Sequence, residues 1–151
     1  MDALAPLGPF LGTWEGEEEI MPSKWGPGGP AHAQAVWRAD LGGKAVIHEY
    51  RAVRDGAPWL QAHALFTPQA NGGLALHWFD SLGFVPEQAA LGSAEGAQLL
   101  FVRRSPRGMS RHVWAPLGAD AYTLALDTSF DAGASWTPIM RGRYTRTAAE
   151  D

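Results

Sequence analysis

Turn signals recur along this 151-residue chain at intervals of about 11–16 positions, and that spacing limits the fold more than any other feature. They are Gly42-Gly43, Asp55-Gly56, Asn71-Gly72-Gly73, Leu82-Gly83, Ala94-Glu95-Gly96, Ser105 to Gly108, Leu117 to Asp120 and Asp131-Ala132-Gly133. Each interval leaves roughly 8–10 residues of alternating or aromatic-rich character, which is strand length. A helix of ordinary size has no room between the glycines and prolines. The pattern predicts an all-β domain of about ten antiparallel strands: 12–20, 31–40, 44–54, 58–67, 73–81, 84–91, 97–104, 109–116, 121–130 and 135–146. Alanine favours helix and pulls Ala31–Ala39 and Gln88–Ala97 the other way, but turn spacing outweighs propensity here. Outside the strands, Ala3–Leu11 reads as a short helical or 3-10 lead-in. Met21–Pro30, rich in proline and glycine, reads as a loop over a barrel mouth.

Length alone predicts one domain spanning residues 1–151. A net charge of −4 argues against a nucleic-acid or anionic-membrane partner, both of which select for a basic face. The absence of cysteine removes disulfides, iron–sulfur clusters, thiolate zinc sites and cysteine nucleophiles. The opening Met1-Asp2-Ala3-Leu4 has no basic segment, and Pro6, Gly8 and Pro9 break any apolar core, so no secretion signal is expected and the cytoplasm is the predicted location. No apolar run approaches the roughly 18 residues a membrane helix needs. Gly-x-Ser-x-Gly, His-Glu-x-x-His, P-loop and dinucleotide motifs are all missing.

Side chains alternate faces along a strand, so hairpin loop lengths predict which residues share a face. Two-residue turns at Gly42-Gly43, Asp55-Gly56 and Asn71-Gly72 set Trp37 opposite His48, His48 opposite His63, Tyr50 opposite Gln61, and His63 opposite Asp80. One face then collects Ala33, Ala35, Trp37, Val46, His48, Tyr50, Trp59, Gln61, His63, Leu65, Leu74, Leu76, Trp78 and Asp80. The other carries His32, Gln34, Arg38, Glu49, Arg51, Leu60, Ala62, Ala64, His77 and Phe79. The charged second face belongs in water, so the first is expected to point inward, with a polar row His48–His63–Asp80 across three strands.

Three segments resemble a bacterial domain-of-unknown-function family with a lipocalin-like (calycin) barrel: Leu11-Gly12-Thr13-Trp14-Glu15-Gly16-Glu17-Glu18, His77-Trp78-Phe79-Asp80-Ser81-Leu82-Gly83, and Ser135-Trp136-Thr137-Pro138 with Gly142-Arg143-Tyr144. The resemblance spans most of the chain and implies a ligand-holding barrel in which the tryptophan of Gly-x-Trp closes one end beneath a short N-terminal helix. The chain is more distantly similar to nitrobindin and fatty-acid-binding barrels. Nitrobindins bind haem through a histidine late in the chain. The last histidine here is His112, and Gly16 is followed by three glutamates in place of glycine alternation, so no haem or other cofactor is expected.

The predicted row His48–His63–Asp80 admits several readings: a self-satisfied hydrogen-bond network, a set orienting a polar ligand, a proton-transfer pair with an orienting carboxylate, or a two-histidine, one-carboxylate metal site. No metal is predicted. Arg111, expected opposite Val102, is either a ligand-carboxylate anchor or part of a surface cluster with Arg103, Arg104 and Arg107. Glu15, Glu17 and Glu19 share one face and Glu18 sits on the face of Trp14; the run reads as a solvated face, with an inward Glu18 or Glu17 facing Arg111 as the other reading. The expected function is binding of a small, largely apolar molecule with a polar or acidic end. His48, Tyr50, His63, Asp80 and Arg111 would orient it, Trp37, Trp59 and Trp78 would pack its body, and Trp25 would gate the mouth. The alternative is an enzyme that uses the same cavity for histidine-based proton transfer, of isomerase or hydrolase type. A closed barrel has no free edges, so a homodimer, if formed, uses loops or the outer face.

Overall fold

The computed structural model describes residues 3–24, 26–83, 88–106 and 108–147. The described residues form a short 3-10 helix, Ala5–Phe10, followed by ten strands: β1 Gly12–Ile20, β2 Gly29–Asp40, β3 Ala45–Arg54, β4 Ala57–Pro68, β5 Leu74–Asp80, β6 Ala90–Glu95, β7 Gln98–Ser105, β8 Gly108–Pro116, β9 Ala121–Ser129 and β10 Thr137–Arg146. Each strand pairs antiparallel with its neighbours in sequence, and β1 pairs with β10, so the sheet closes into a barrel of the predicted lipocalin-like kind. Among the described residues no helix is long and apolar enough to cross a membrane.

The 3-10 helix plugs one end. Leu7 and Phe10 are fully buried, and the Trp14 indole donates to the Phe10 carbonyl at 2.8 Å. Arg146 lies over the Trp14 ring at 4.2 Å and ties the carbonyls of Leu11, Pro9 and Ala119 together. Above the plug the interior is packed with rings: Trp37 meets Phe10 and Phe66 at 5.2 Å and Trp114 at 5.5 Å. Their bulk accounts for the alanines. Ala33, Ala35, Ala52, Ala62 and Ala64 are buried on β2, β3 and β4 and leave the space that the tryptophans fill. Packing, rather than strand propensity, selects alanine at these places.

Three turns decide the register. At Asp55-Gly56 both residues have positive φ (52° and 74°), as a two-residue type I′ hairpin requires, and Arg54 pairs with Ala57 as expected. The first hairpin closes through Leu41–Gly43 and pairs Asp40 with Ala45, which keeps Trp37 opposite His48 as expected. Between these strands and β5 the expectation fails twice. A β-bulge sets Val53 opposite Pro58 but Ala52 opposite Leu60, so Trp59 has no partner of its own. Proline has no N–H to give the ladder, and a bulge is where a sheet accommodates it. The loop 69–73 is odd in length, and Pro68 pairs with Leu74. The two one-residue slips cancel for β5 and leave β4 alone inverted.

Leu60, Ala62, Ala64 and Phe66 therefore face inward, while Trp59, Gln61 and His63 face outward. Of the predicted strand 84–91, residues 84–87 lie outside the described residues; the described β6 runs from Ala90 on to Glu95, past the predicted end, because the chain turns at Gly96 (φ 64°).

Candidate functional site

The interior of the barrel holds a cavity of ≈ 40 Å³. Its walls are apolar and aromatic: Leu60, Trp78, Trp114, Leu124, Leu126 and Met140, with Tyr122 and Tyr144 below. His48, Tyr50 and His112 bring polar atoms to it.

His48 is 2% exposed and stacks on Trp37 at 3.9 Å. Its Nδ1–H donates to the Val36 carbonyl at 3.2 Å, which leaves Nε2 as a lone-pair acceptor. Burial pushes the imidazolium down to about 3, more than the Val36 carbonyl supports it, so the ring is neutral at physiological pH. His112 lies flat on Trp114 (5.2 Å, 18°) and beside Trp78 (5.5 Å). Burial, helped by the Arg103 charge, lowers it to about 4. Its Nδ1 is buried and has no hydrogen-bond partner among the described residues.

A carboxyl also lies inside the barrel. Glu18 is 3% exposed and takes the Tyr50 hydroxyl at 2.6 Å and 2.8 Å on its two oxygens and the Tyr144 hydroxyl on one. Burial raises the Glu18 carboxyl above its ordinary range despite both donors. Burial and the adjoining carboxyl raise the Tyr50 phenol. Glycine permits this arrangement, because a Cβ at Gly16 or Gly142 would meet the Tyr144 ring that lies across β1 and β10.

The predicted site residues divide. His48, Tyr50, Trp78 and Asp80 occupy the inner face, and Trp37 packs below the cavity at 1% exposure. Asp80 sits at the rim, where it accepts the Trp78 indole N–H at 3.0 Å and the Leu82 amide at 3.0 Å. It orients a tryptophan rather than a histidine. His63 stands on the outer wall opposite Glu49, 64% exposed, so the row His48–His63–Asp80 does not form. Trp59 is likewise outside, 40% exposed beneath Arg54.

Arg111 pairs with Val102 as expected but points outward. It meets Asp127 at 3.0 Å, Arg141 meets the same carboxylate at 2.8 Å, and Trp136 covers the guanidinium at 4.1 Å. Burial works to raise the Asp127 carboxyl, but the hydrogen bonds from Arg141 and Arg111 outweigh it and hold the group low. Trp25 lies outside the described residues. Sequence reasoning did not single out His112, Trp114, Tyr122 or Tyr144, and left Glu18 open. Alternation held the clue for Glu18, which shares its face with Trp14 and Gly16.

No family model matches the sequence, and no curated protein matches it. Among solved structures, Rv2717c from M. tuberculosis aligns with a TM-score of 0.73 at 15% identity, covering 98% of this chain and 99% of that one. The S-type phycobiliprotein lyase CPES from Guillardia theta aligns with a TM-score of 0.72 at 6% identity, covering 99% and 95%. At these identities the likeness is one of fold alone.

Proposed function

We propose that the protein binds a small, largely apolar molecule with a polar or acidic end inside the barrel. The observation that carries this reading is the buried Nδ1 of His112, without a hydrogen-bond partner among the described residues, on a histidine that lines a mostly apolar and aromatic cavity. Leaving such an atom unpaired costs about 1–3 kcal/mol, which a ligand that reaches it recovers. Aromatic walls with a few convergent polar groups are the usual makeup of a ligand pocket. The reading agrees with what the resemblance to lipocalin-like barrels implies.

Volume sets the terms. A space of ≈ 40 Å³ holds about three waters at 10–15 Å³ each, so any larger occupant has to displace a wall. Trp78 is the wall best placed to move, because its indole N–H is latched only to Asp80 at the rim. A cavity of ≈ 40 Å³ gives haem less support than it gives a small occupant, because a macrocycle would have to displace far more of the wall. Proton-transfer catalysis finds less support, since His48 with a conjugate acid near 3 is a weak base and His63 is outside.

Native mass spectrometry of freshly purified protein tests the reading: a reproducible extra mass, lost on denaturation, is expected. The variant His112→Phe separates binding from folding. It should gain roughly 1–3 kcal/mol of stability by removing the orphan nitrogen and should lose the bound mass. A bare chain mass in the wild type, with no small apolar compound retained on addition, sinks the proposal.

A further inference from the structure

The polar side chains that β3 and β10 bring to the cavity have already given their protons away. His48 donates from Nδ1 to the Val36 carbonyl at 3.2 Å. Its ring is neutral, so the other nitrogen, Nε2, carries a lone pair. The Tyr50 hydroxyl donates to both oxygens of Glu18, at 2.6 Å and 2.8 Å, and the Tyr144 hydroxyl donates to one of them. All three side chains line the cavity, and toward an occupant they act as acceptors. A proton on Glu18, whose burial raises its carboxyl, would release one phenol to donate but would leave His48 an acceptor. One donor stands among the lining residues: the Tyr122 hydroxyl receives the Trp37 indole N–H at 3.1 Å and keeps its own proton to give.

This count decides which polar end fits. A carboxylate brings only acceptors, and no lysine or arginine stands among the described residues that line the cavity. A carbonyl also only accepts and would shut the His48 lone pair away without a proton, which is costly in an apolar interior. A hydroxyl both donates and accepts, so it answers His48 and Tyr122 alike. It also suits the buried Nδ1 of His112 in either tautomer. An ammonium donates but has no acceptor for Tyr122. The Glu18 oxygens that would balance its charge are already taken up by the two phenols. From this accounting we infer that the occupant is a neutral alcohol or phenol of about one ring, whose hydroxyl gives its proton to His48 Nε2 and whose ring lies against Trp78 and Trp114. The inference rests on the binding function proposed above and names its ligand class.

His48 is the strongest of the acceptors, because a phenol oxygen shares its lone pair with its ring whereas the Nε2 pair lies outside the imidazole π system. A single ring exceeds ≈ 40 Å³, so it enters by displacing Trp78 from its bond to Asp80.

Calorimetric titration at pH 7 with phenol, toluene, benzaldehyde and benzoate tests this. Phenol and toluene differ only by hydroxyl against methyl; benzaldehyde accepts without donating, and benzoate adds a charge. A purely apolar cavity favours toluene, since phenol has to shed its water. Here phenol should bind at least as tightly as toluene, and about tenfold or more tightly than benzaldehyde or benzoate. His48→Phe keeps a flat ring against Trp37 but removes the lone pair. It should weaken phenol about tenfold and leave toluene unchanged. Phenol bound more weakly than toluene, matched by benzaldehyde or benzoate, or indifferent to His48→Phe, overturns the inference while binding in the barrel stands. Should His48→Phe not fold, the four wild-type affinities decide. If no probe binds, the occupant seen by native mass spectrometry decides: a neutral hydroxyl compound supports the inference, and a carboxylate or a molecule without a donor overturns it. A bare mass with no probe bound overturns both proposals.

Discussion

Acidification from pH 7 to 4.5 should remove on the order of 4–5 kcal/mol of stability, with His48 and His112 as the cause. Both imidazoles titrate near 6.5 in the unfolded chain and near 3 and 4 in the barrel. Below pH 6.5 the unfolded state takes up two protons that the folded state refuses. Stability is therefore full above that value and falls until the folded values are reached. The loss is a large fraction of the 5–15 kcal/mol typical of a domain. Glu18 works with the opposite sign. Its raised carboxyl gives stability that is full below the ordinary glutamate range and is lost as pH rises through the folded value. The double variant His48→Gln, His112→Phe should thus flatten the acid limb, and its stability should rise slightly from neutral pH toward 4.5. Urea unfolding at half-unit pH steps reads both curves. A wild type equally stable at 7 and 4.5 contradicts the buried, neutral histidines.

The second large effect is expected at Trp37. Its ring contacts Phe10, His48, Phe66, Trp114 and Tyr122, and its indole N–H donates to the Tyr122 hydroxyl at 3.1 Å. Trp37→Ala should cost about 3–5 kcal/mol, because the rings around the hole belong to five different elements and cannot all collapse into it. For a chain of this size that lowers the melting temperature by roughly 10 °C. Trp37→Phe keeps most of the packing but strands the Tyr122 oxygen, so it should cost about 1–2 kcal/mol. Thermal and denaturant unfolding of the two variants measures both. A loss below 1 kcal/mol for Trp37→Ala would mean that the core does not turn on this ring.

The barrel was legible because turn chemistry is local. Asp55-Gly56 takes its positive φ angles from two residues alone, and no distant contact is needed to read it. The site was less legible because it depends on parity. One unpartnered residue, Trp59, inverts β4 and carries His63 out of the barrel, and its signal was the neighbouring Pro58. His48, Tyr50 and Trp78 survived because no net slip separates their strands. Glu18 was obscured by its company: three neighbouring glutamates suggested solvent, although its own parity matched Trp14. Arg111 had two readings, anchor or surface cluster, and only the register of β8 against β9 sets it outward beside Asp127.

The β5–β6 join also has a dynamic consequence. A cylinder of hydrogen bonds yields at its narrowest seam, and among the described residues that seam is the three pairs between Leu74–Leu76 and Ala90–Gly92. Local opening follows such seams, since fewer backbone bonds have to break there than elsewhere in the described ladder. Amide deuteration should therefore begin along this join, long before the β2–β3 and β3–β4 ladders exchange. The barrel then breathes like a cuff with one loose fastening: its rings and plug stay in place while the side next to Trp78 parts and reseals.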